Sequence, residues 1–404
     1  VDRDRRGLEL EEDVQFDIRD ERELEVLELR QDWGLQPAPR HELGWGLALR
    51  RWDATYDYVG LVHFEDVLAQ IRGEADVATI FRERFEEEDV GAHVADRIRL
   101  GEPLTIELGL RYDRHSSTDE SRLNPRFNLA WALGEGSVVR AAWGRFDQSQ
   151  RPYELQVEDG QTALSPVERS EHRILGFEHL FAPQAAGSPA LRVEVYRRVV
   201  ENPRPRYENL YEPINPFPEA EPDRVQVIPD RAVAEGAELF FRSGLGSKAG
   251  WWLNYAYAST EDEIDGARVL RQFDQTHTVN LDLDFRPNDR WSLNLAWRYH
   301  TGWPTTPLSL QAVTDEDGEV EYVPVLGPSY SERLGDYHRL DLRASRRWRP
   351  RSGVLTLFLD VQNLYDRQNA AGFDYEIDEE AGTIDPDPEA WTGILPSLGV
   401  TYEF

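Results

Sequence analysis

The sequence contains no cysteine and no methionine among its 404 residues. Without cysteine, the chain has no disulfide, no thiolate metal ligand and no cysteine nucleophile. It also has no run of 18 apolar residues, and a membrane-spanning helix is therefore not expected. The first residue is Val1 rather than an initiator methionine, and no signal peptide is visible. We therefore expect Val1 to begin an internal piece of a longer protein.

Sequence motifs of common catalytic sites are missing as well. The chain has no GxSxG, no P-loop and no HExxH sequence. Segment 244–250 (GLGSKAG) superficially resembles a phosphate-binding loop, but no helical pattern follows it, so we interpret it as a hairpin turn. We predict no catalytic residue and no cofactor site, and we do not expect an enzyme.

The sequence does not predict a metal site. None of the histidines falls at a spacing typical of metal ligands, although His277 and His300 are expected near strand ends. The acidic run 315–319 lacks the full twelve-residue calcium loop, and we interpret it as a solvated turn. The nine histidines are His41, His63, His93, His115, His172, His179, His277, His300 and His338.

Charge and hydropathy restrict the classes of partner. The formal net charge is −31, which repels nucleic acid. This charge favours solvation of loops, or attraction of cationic or metal-chelated ligands, or divalent-ion bridging to an anionic lipid surface. The mean hydropathy is −0.62 and aromatic residues make up 11% of the chain. A membrane β-barrel accommodates both values, because only alternate residues face lipid and aromatic girdles mark its borders.

Apolar residues recur at every second position in segments of about ten residues, which indicates β-strands rather than helices. Five segments show this clearly: 104–112, 279–285, 291–299, 355–361 and 398–404. The sixteen expected strands are 8–18, 22–33, 41–58, 91–99, 104–114, 124–133, 137–147, 172–181, 190–199, 233–243, 250–260, 276–286, 291–301, 337–348, 354–364 and 391–404.

The connections between these strands alternate between short and long. Short turns are expected at 134–136, 244–249, 287–289 and 350–353, and long loops at 60–90, 147–171, 199–232, 301–336 and 364–391. Short helices are expected within 60–90 and 150–170, and segment 374–389 is expected to be a mobile loop. This parity predicts an up-and-down meander with every long loop at one end, as in outer-membrane barrels, and not a Greek-key sandwich.

Several segments resemble the C-terminal barrel of the TonB-dependent receptors. The strongest are 359–366 (LDVQNLYD), similar to the family's penultimate strand, and 395–404 (LPSLGVTYEF), a terminal strand ending in an aromatic residue. Segments 109–113 (GLRYD), 273–280 (FDQTHTVN) and 298–304 (RYHTGWP) are also similar to family strands. The resemblance implies an all-β, antiparallel transmembrane barrel of 22 strands with an N-terminal plug. Residues 1–404 then correspond to the barrel domain, with about 15–16 strands and without the plug and the first strands.

The resemblance implies an outer-membrane receptor that takes up a scarce, bulky solute by energy-coupled transport. The solute could be a metal chelate, a cobalamin, an oligosaccharide or a peptide. The implied partners are outer-membrane lipid and lipopolysaccharide, a ligand at the extracellular loops, a TonB-type energy-transducing complex reached through the plug, and the barrel assembly machinery at the C-terminal strand. A passive porin or a surface adhesin is the alternative, and a soluble β-sandwich or propeller hydrolase is a more distant one.

Two faces follow from this barrel. The lumen should be polar, and the lipid side should carry leucines with aromatic residues at its borders. The lumen residues expected are Glu107, Arg111, Arg126, Asn128, Asp282, Asp284, Arg298 and Asp341. The lipid-facing residues expected are Leu293, Leu295, Trp297, Leu355, Leu357 and Leu359, with Trp291, Tyr299 and Tyr402 at the borders.

Closure of the barrel has two possible outcomes. Strand 392–404 either keeps an unpaired edge or pairs with the acidic segment 8–18 to close a barrel of about 16 strands. We favour closure, because an open edge in hydrocarbon leaves backbone groups unsatisfied.

Overall fold

The computed structural model describes residues 2–404 except 11–13, 184, 186, 246–247, 315–319 and 379–380. Nearly all regular structure in these residues is β-strand, with a single seven-residue helix, α1 (Asp66–Arg72), and three 3-10 turns at Pro152–Glu154, Val157–Asp159 and Pro218–Ala220. No helix in this part of the chain is long and apolar enough to cross a membrane. In chain order the strands are β1 (Asp2–Leu10), β2 (Val14–Ala38), β3 (His41–Phe64), β4 (Asp76–Phe81), β5 (Arg84–Arg99), β6 (Leu104–His115), β7 (Glu120–Gly134), β8 (Ser137–Gln148), β9 (Glu168–Leu180), β10 (Ala190–Glu201), β11 (Arg206–Asn209), β12 (Arg224–Val227), β13 (Arg231–Leu245), β14 (Ala249–Ile264), β15 (Ala267–Leu270), β16 (His277–Asn288), β17 (Trp291–His300), β18 (Pro304–Thr305), β19 (Leu308–Thr314), β20 (Val320–Leu326), β21 (Glu332–Arg333), β22 (Tyr337–Trp348), β23 (Val354–Gln362), β24 (Ala370–Asp378), β25 (Thr383–Ala390) and β26 (Leu395–Glu403).

Eighteen of these strands form one antiparallel sheet. Each long strand pairs with the next long strand along the chain, and β4 and β15 are short additions beside β3 and β14. The other sixteen strands of the sheet match the 15–16 expected, and the predicted meander is confirmed. The remaining strands form four small hairpin-like pairs inside connections: β11 with β12, β18 with β21, β19 with β20, and β24 with β25.

The expected alternation of short and long connections is also confirmed. At one end, the turn end, the connections are short; at the other, the loop end, most are long. Gly136 shows why one such turn is tight, since its φ is 91° and a Cβ there would lie 2.5 Å from the carbonyl oxygen of Leu180. The turn-end connections are 39–40, 100–103, 135–136, 181–189, 246–248, 289–290 and 349–353, and the loop-end connections after β2 are 65–83, 116–119, 149–167, 202–230, 265–276, 301–336 and 363–394.

Two local predictions were wrong. The expected strand 8–18 spans the connection between β1 and β2, because acidic residues interrupt its alternation. The expected mobile loop 374–389 instead contains the β24–β25 hairpin, in which Tyr375 lies opposite Pro386.

The helix expected within 60–90 is α1, and 150–170 contains two 3-10 turns. The strands flanking 246–247 are paired as the predicted hairpin, with Leu245 opposite Ala249.

Closure between the two ends of the sheet was also wrongly predicted. Val400 lies opposite Leu357 and Tyr402 opposite Leu355, and no described strand pairs with the other side of β26. β1 pairs only with β2 in the described part of the chain, from Asp2 opposite Glu23 to Leu10 opposite Gln15. It therefore lies entirely at the loop end and does not reach the part of β26 that would face lipid.

The predicted lipid side is apolar in the structure. Leu295, Leu357 and Leu359 are exposed on the outer face, as are Trp291 and Tyr402 near its borders. The remaining expected residues are half-buried between neighbours on the same face: Leu293, Trp297, Tyr299 and Leu355.

Candidate functional site

The polarity of the sheet inverts along β3, which runs from the turn end to the loop end. Near the turn end, Leu47 and Leu49 are exposed on the outer face. Beyond them the outer face carries the charged residues Arg51, Asp53 and Asp57, and from Trp52 onward the inner face is apolar and buried. A lipid-facing surface must be apolar, so the change between Leu49 and Arg51 marks its border on the side of the loop end. We call this the upper border. The loop end beyond this border has the pattern of a water-soluble protein.

Loops fill the inner side of the sheet above this border. Leu155, Val157 and Ala220 from two loops pack against the inner face of β2 and β3 and are almost completely buried. We call this the loop-end core. Its strand residues are Phe16, Ile18, Ala54, Tyr56, Tyr58, Val62, Phe64 and Phe81.

Buried ion pairs fix loop 149–167 to the strand wall. Arg22 on β2 donates to Glu158 at 2.7 Å and to the Leu155 carbonyl at 3.4 Å. Arg22 also pairs with Asp20, which is fully buried, at 2.6 Å. The Tyr56 hydroxyl donates to the carbonyl of Pro152. These contacts hold the loop against the wall through both charged and backbone groups.

A second buried ion pair joins loop 149–167 to loop 202–230. Arg224 donates through Nε and Nη2 to the two carboxylate oxygens of Asp159, at 2.7 and 2.5 Å. Its third nitrogen donates to Asn209 at 2.9 Å. Burial raises the pKa of Asp159, and the Arg224 guanidinium opposes that rise. The pair is bidentate and desolvated, which makes it a rigid connection between the two loops.

Further polar contacts link the loops after 149–167 to one another and to the end of β14. Arg206 pairs with Asp262 at 2.6 Å, and Arg333 with Asp274 at 2.6 Å. The Tyr330 hydroxyl donates to Glu208 at 2.8 Å. The Tyr211 and Tyr375 rings meet edge to face, 4.9 Å apart, where β24 approaches loop 202–230. We call the described residues of loops 149–167, 202–230, 265–276, 301–336 and 363–394 together the roof.

Two carboxyl groups of the roof, the buried Asp223 and the half-buried Glu221, form no ion pair within the described residues. Asp223 accepts from the backbone N–H groups of Tyr211 and Glu212 at 2.7 and 3.1 Å, and its other oxygen has no partner. Burial raises the pKa of Asp223 to about 7, against the effect of these two hydrogen bonds. Burial and the neighbouring Glu212 raise the pKa of Glu221 to about 9. Both groups therefore keep their protons to a higher pH in the folded roof than in an unfolded chain.

We expect the roof to lose local stability as the pH rises from 5 to 8. An acid whose pKa is raised by folding binds its proton more readily in the folded state. Its contribution is therefore largest below the unfolded pKa, near 4, and is lost as the pH rises towards the folded value. Each such group costs about 1.4 kcal/mol per pH unit within its window. Hydrogen exchange at the Tyr211 and Glu212 amides, corrected for intrinsic exchange, should become faster over this range.

Asp223→Asn is the matched control, because an amide keeps an acceptor oxygen but does not titrate. In this variant the pH dependence should shrink to the part contributed by Glu221. Slower corrected exchange at pH 8 than at pH 5 in the wild type would contradict the expectation.

The inner face below the roof carries ion pairs and amides. Glu107 accepts from Arg97 at 2.8 Å and from Asn128 at 3.2 Å. Arg111 pairs with Asp113 at 2.6 Å, and Asp282 accepts from Asn294 at 3.0 Å. Four of the residues expected in the lumen, Glu107, Arg111, Asn128 and Asp282, thus form local polar pairs along the wall. A cavity of about 560 Å³ lies against it between β5 and β10.

One histidine joins two carboxylates at the upper border of this wall. Glu87 and Asp89 project from the same face of β5, and His115 lies opposite Asp89 on β6. One potential ligand atom from each lies within 4.8 Å of the others. His115 is distant from the two acids in sequence, so this group was not predicted, and only the i, i+2 spacing of Glu87 and Asp89 could have indicated it. The acidic run 315–319 lies outside the described residues.

The predicted strand-end positions of two other histidines are confirmed. His277 begins β16 and His300 ends β17. The His300 ring stacks on Tyr337 with the ring centres 4.6 Å apart. His300 Nδ1 lies 2.9 Å from the carbonyl oxygen of Thr301. Neither histidine belongs to the group at Glu87.

A family model described as "TonB dependent receptor-like, beta-barrel" matches residues 6–364. A search of curated proteins found no match.

Solved structures of outer-membrane receptors and transporters have a similar fold. The unliganded ferric citrate transporter FecA is 16% identical with a TM-score of 0.60, over 99% of this chain and 57% of its own. The copper transporter OprC is 14% identical with a TM-score of 0.60, over 96% of this chain and 58% of its own. A mutant of the ferric enterobactin receptor PfeA from Pseudomonas aeruginosa is 16% identical with a TM-score of 0.58, over 96% of this chain and 59% of its own. The chain thus spans somewhat more than half the length of these structures.

Proposed function

Because the chain belongs to the TonB-dependent receptor β-barrel family, we propose that it takes up a scarce, bulky solute across the outer membrane by energy-coupled transport. Barrels of this family are outer-membrane proteins, so the chain lies in the outer membrane. The family and the similar structures are receptors and transporters and not enzymes, in agreement with the sequence analysis. The family match over residues 6–364 is the observation that carries the proposal.

The geometry of the loop end supports a receptor. The roof is locked by buried pairs such as Arg224–Asp159, so it presents a preformed surface to the outside. Preorganised surfaces bind with a smaller loss of conformational entropy than loops that must first become ordered. Below this surface, the polar wall gives a solute charged and hydrogen-bonding contacts.

We propose a ferric or cupric complex as the solute class. The structures with a similar fold include transporters or receptors of ferric citrate, ferric enterobactin and copper. The wall combines arginines with carboxylates, as in the Arg97–Glu107 pair, and a charged chelate needs groups of both signs. Cobalamins, oligosaccharides and peptides are the competing outcomes.

Four partners belong to this proposal. Lipid would contact the outer leucines, and lipopolysaccharide the charged outer face beyond Arg51. The barrel assembly machinery would engage β26, and a TonB-type energy-transducing complex would act through a plug domain. The unpaired edge of β26 in the described residues and its exposed side chains, such as Leu398 and Val400, are compatible with strand pairing during assembly.

Uptake by cells that carry the gene, compared with a deletion strain, tests the proposal. We expect saturable, gene-dependent uptake of a ferric or cupric complex that an uncoupler of the proton gradient abolishes. The panel is ferric citrate, a ferric catecholate, Cu²⁺, cobalamin and a malto-oligosaccharide. Uptake that is linear in solute concentration and insensitive to the uncoupler would instead establish a passive porin. Saturable uptake of cobalamin or sugar alone would support an energy-coupled receptor but exclude a ferric or cupric complex as its solute.

A further inference from the structure

Two buried carboxylates and one buried imidazole converge at the upper border of the wall. They are not among the roof contacts described above. Glu87, Asp89 and His115 have only 1%, 9% and 6% of their surface exposed. They lie on the adjacent strands β5 and β6, where Asp89 and His115 are directly opposite in register. A rigid sheet therefore fixes their relative positions, as a preformed metal site requires.

One carboxylate oxygen in this group has no partner. Glu87 Oε1 accepts from the Ser117 hydroxyl at 2.9 Å, but Oε2 is buried and accepts no hydrogen bond. A buried, unsatisfied carboxylate oxygen is costly, and a bound water or cation is the usual explanation for one. A cation bound between the three side chains would satisfy it.

Asp89 is held in place by groups outside the cluster. Its Oδ2 atom accepts from Trp52 Nε1 at 3.1 Å and contacts the Arg151 guanidinium. Its Oδ1 atom lies 2.5 Å from His115 Nδ1. Ligating carboxylates in metal sites are commonly oriented by such outer hydrogen bonds. Oδ1 of Asp89 thus faces the imidazole, and a metal ion bound by both groups would replace the proton of this hydrogen bond.

We propose that Glu87, Asp89 and His115 bind a divalent transition-metal ion. One imidazole nitrogen and two carboxylates form a mixed donor set that suits Zn²⁺ or a similar ion, whereas Ca²⁺ prefers six or more oxygen ligands. Arg151 comes from loop 149–167, so an ion here would connect β5 and β6 to the roof through Asp89. The site is part of the wall and does not depend on which solute the protein transports.

Isothermal titration of the metal-stripped full chain in detergent, with Zn²⁺ as the probe at pH 7.5, tests this site. We expect one Zn²⁺ per chain and no displacement by a hundredfold excess of Ca²⁺. Glu87→Gln and His115→Gln should each weaken binding at least tenfold. His300→Gln is the matched control, since His300 lies at a strand end with a backbone carbonyl as its partner, and it should bind as the wild type does.

Thermal unfolding with and without Zn²⁺ gives a second readout. The ion should raise the melting temperature of the wild type and of His300→Gln but not of Glu87→Gln. Glu87→Gln is nearly isosteric and can keep the Ser117 contact, so it remains informative if His115→Gln fails to fold. The proposal is overturned if no stoichiometric binding occurs, or if Glu87→Gln binds Zn²⁺ as tightly as the wild type. If only His300→Gln lost Zn²⁺ binding, the ion would be bound near His300 and not at Glu87, Asp89 and His115, which would also overturn the proposal.

Discussion

Arg224→Met should destabilise the roof by about 3–5 kcal/mol, the range for breaking a buried ion pair by removing one partner. The Arg224 and Asp159 side chains are only 5% and 1% exposed. Without the guanidinium, Asp159 stays buried between two loops with no cation at its carboxylate, and Asn209 loses its donor. The strands below retain their own backbone pairing, so we expect the roof to open before the sheet does. Hydrogen exchange within 149–167 and 202–230 measures this opening free energy.

Two controls separate the charge effect from a packing effect. Arg224→Met combined with Asp159→Leu removes both charges and should recover most of the lost stability, since apolar replacement of a buried pair is often neutral. Arg140 and Glu178 form an exposed pair, 53% and 36% exposed, and Arg140→Met should cost about 0–1 kcal/mol. Equal losses at Arg224 and Arg140 would show that the buried pair does not hold the two loops together.

Leu295→Arg and Leu357→Arg should each reduce the stability of the chain in lipid by about 2–4 kcal/mol, if they lie near the bilayer midplane. Both side chains are exposed on the outer face, where a guanidinium would have to enter hydrocarbon. Denaturant titration of folding into phospholipid vesicles, followed by tryptophan fluorescence, measures the loss. The mechanism is desolvation of charge and not loss of packing, so Leu295→Ala should have a smaller effect.

Asn294→Arg is the matched control for position 295. Asn294 projects to the opposite face, where it donates to Asp282, and a new arginine there finds a carboxylate. We expect its effect on folding into lipid to be small. If arginine at 294 and at 295 had equal effects, the outer face would not be the lipid face.

The sheet was predictable because its period-two signal is local. Segment 291–301 needs only its own residues to identify β17, and the alternation of short and long connections then orders the strands. The predicted strand 8–18 failed because acidic residues on both faces weaken that signal. The inversion on β3 is visible in the sequence, where charged residues appear at the odd positions 51, 53 and 57 and large apolar residues occupy even positions from Trp52 onward.

The roof and the Glu87 group were not predictable in the same way. Arg224 and Asp159 are 65 residues apart in sequence, and neither lies in a regular pattern that would pair them. His115 meets Asp89 only because the register of β5 and β6 places them opposite each other. A shift of one residue in that register would have moved His115 to the outer face. Long-range contacts of this kind depend on tertiary geometry and not on local composition.

The inversion on β3 restricts the order in which the protein can be assembled. Arg51, Asp53 and Asp57 project outward beyond the leucines, so they must reach the far side of the lipid before Leu47 and Leu49 can settle in it. Carrying such charges through hydrocarbon is costly, and we therefore expect the loop end to cross the membrane by a hydrated or protein-lined route. We therefore expect translocation of the loop end to precede packing of the loop-end core.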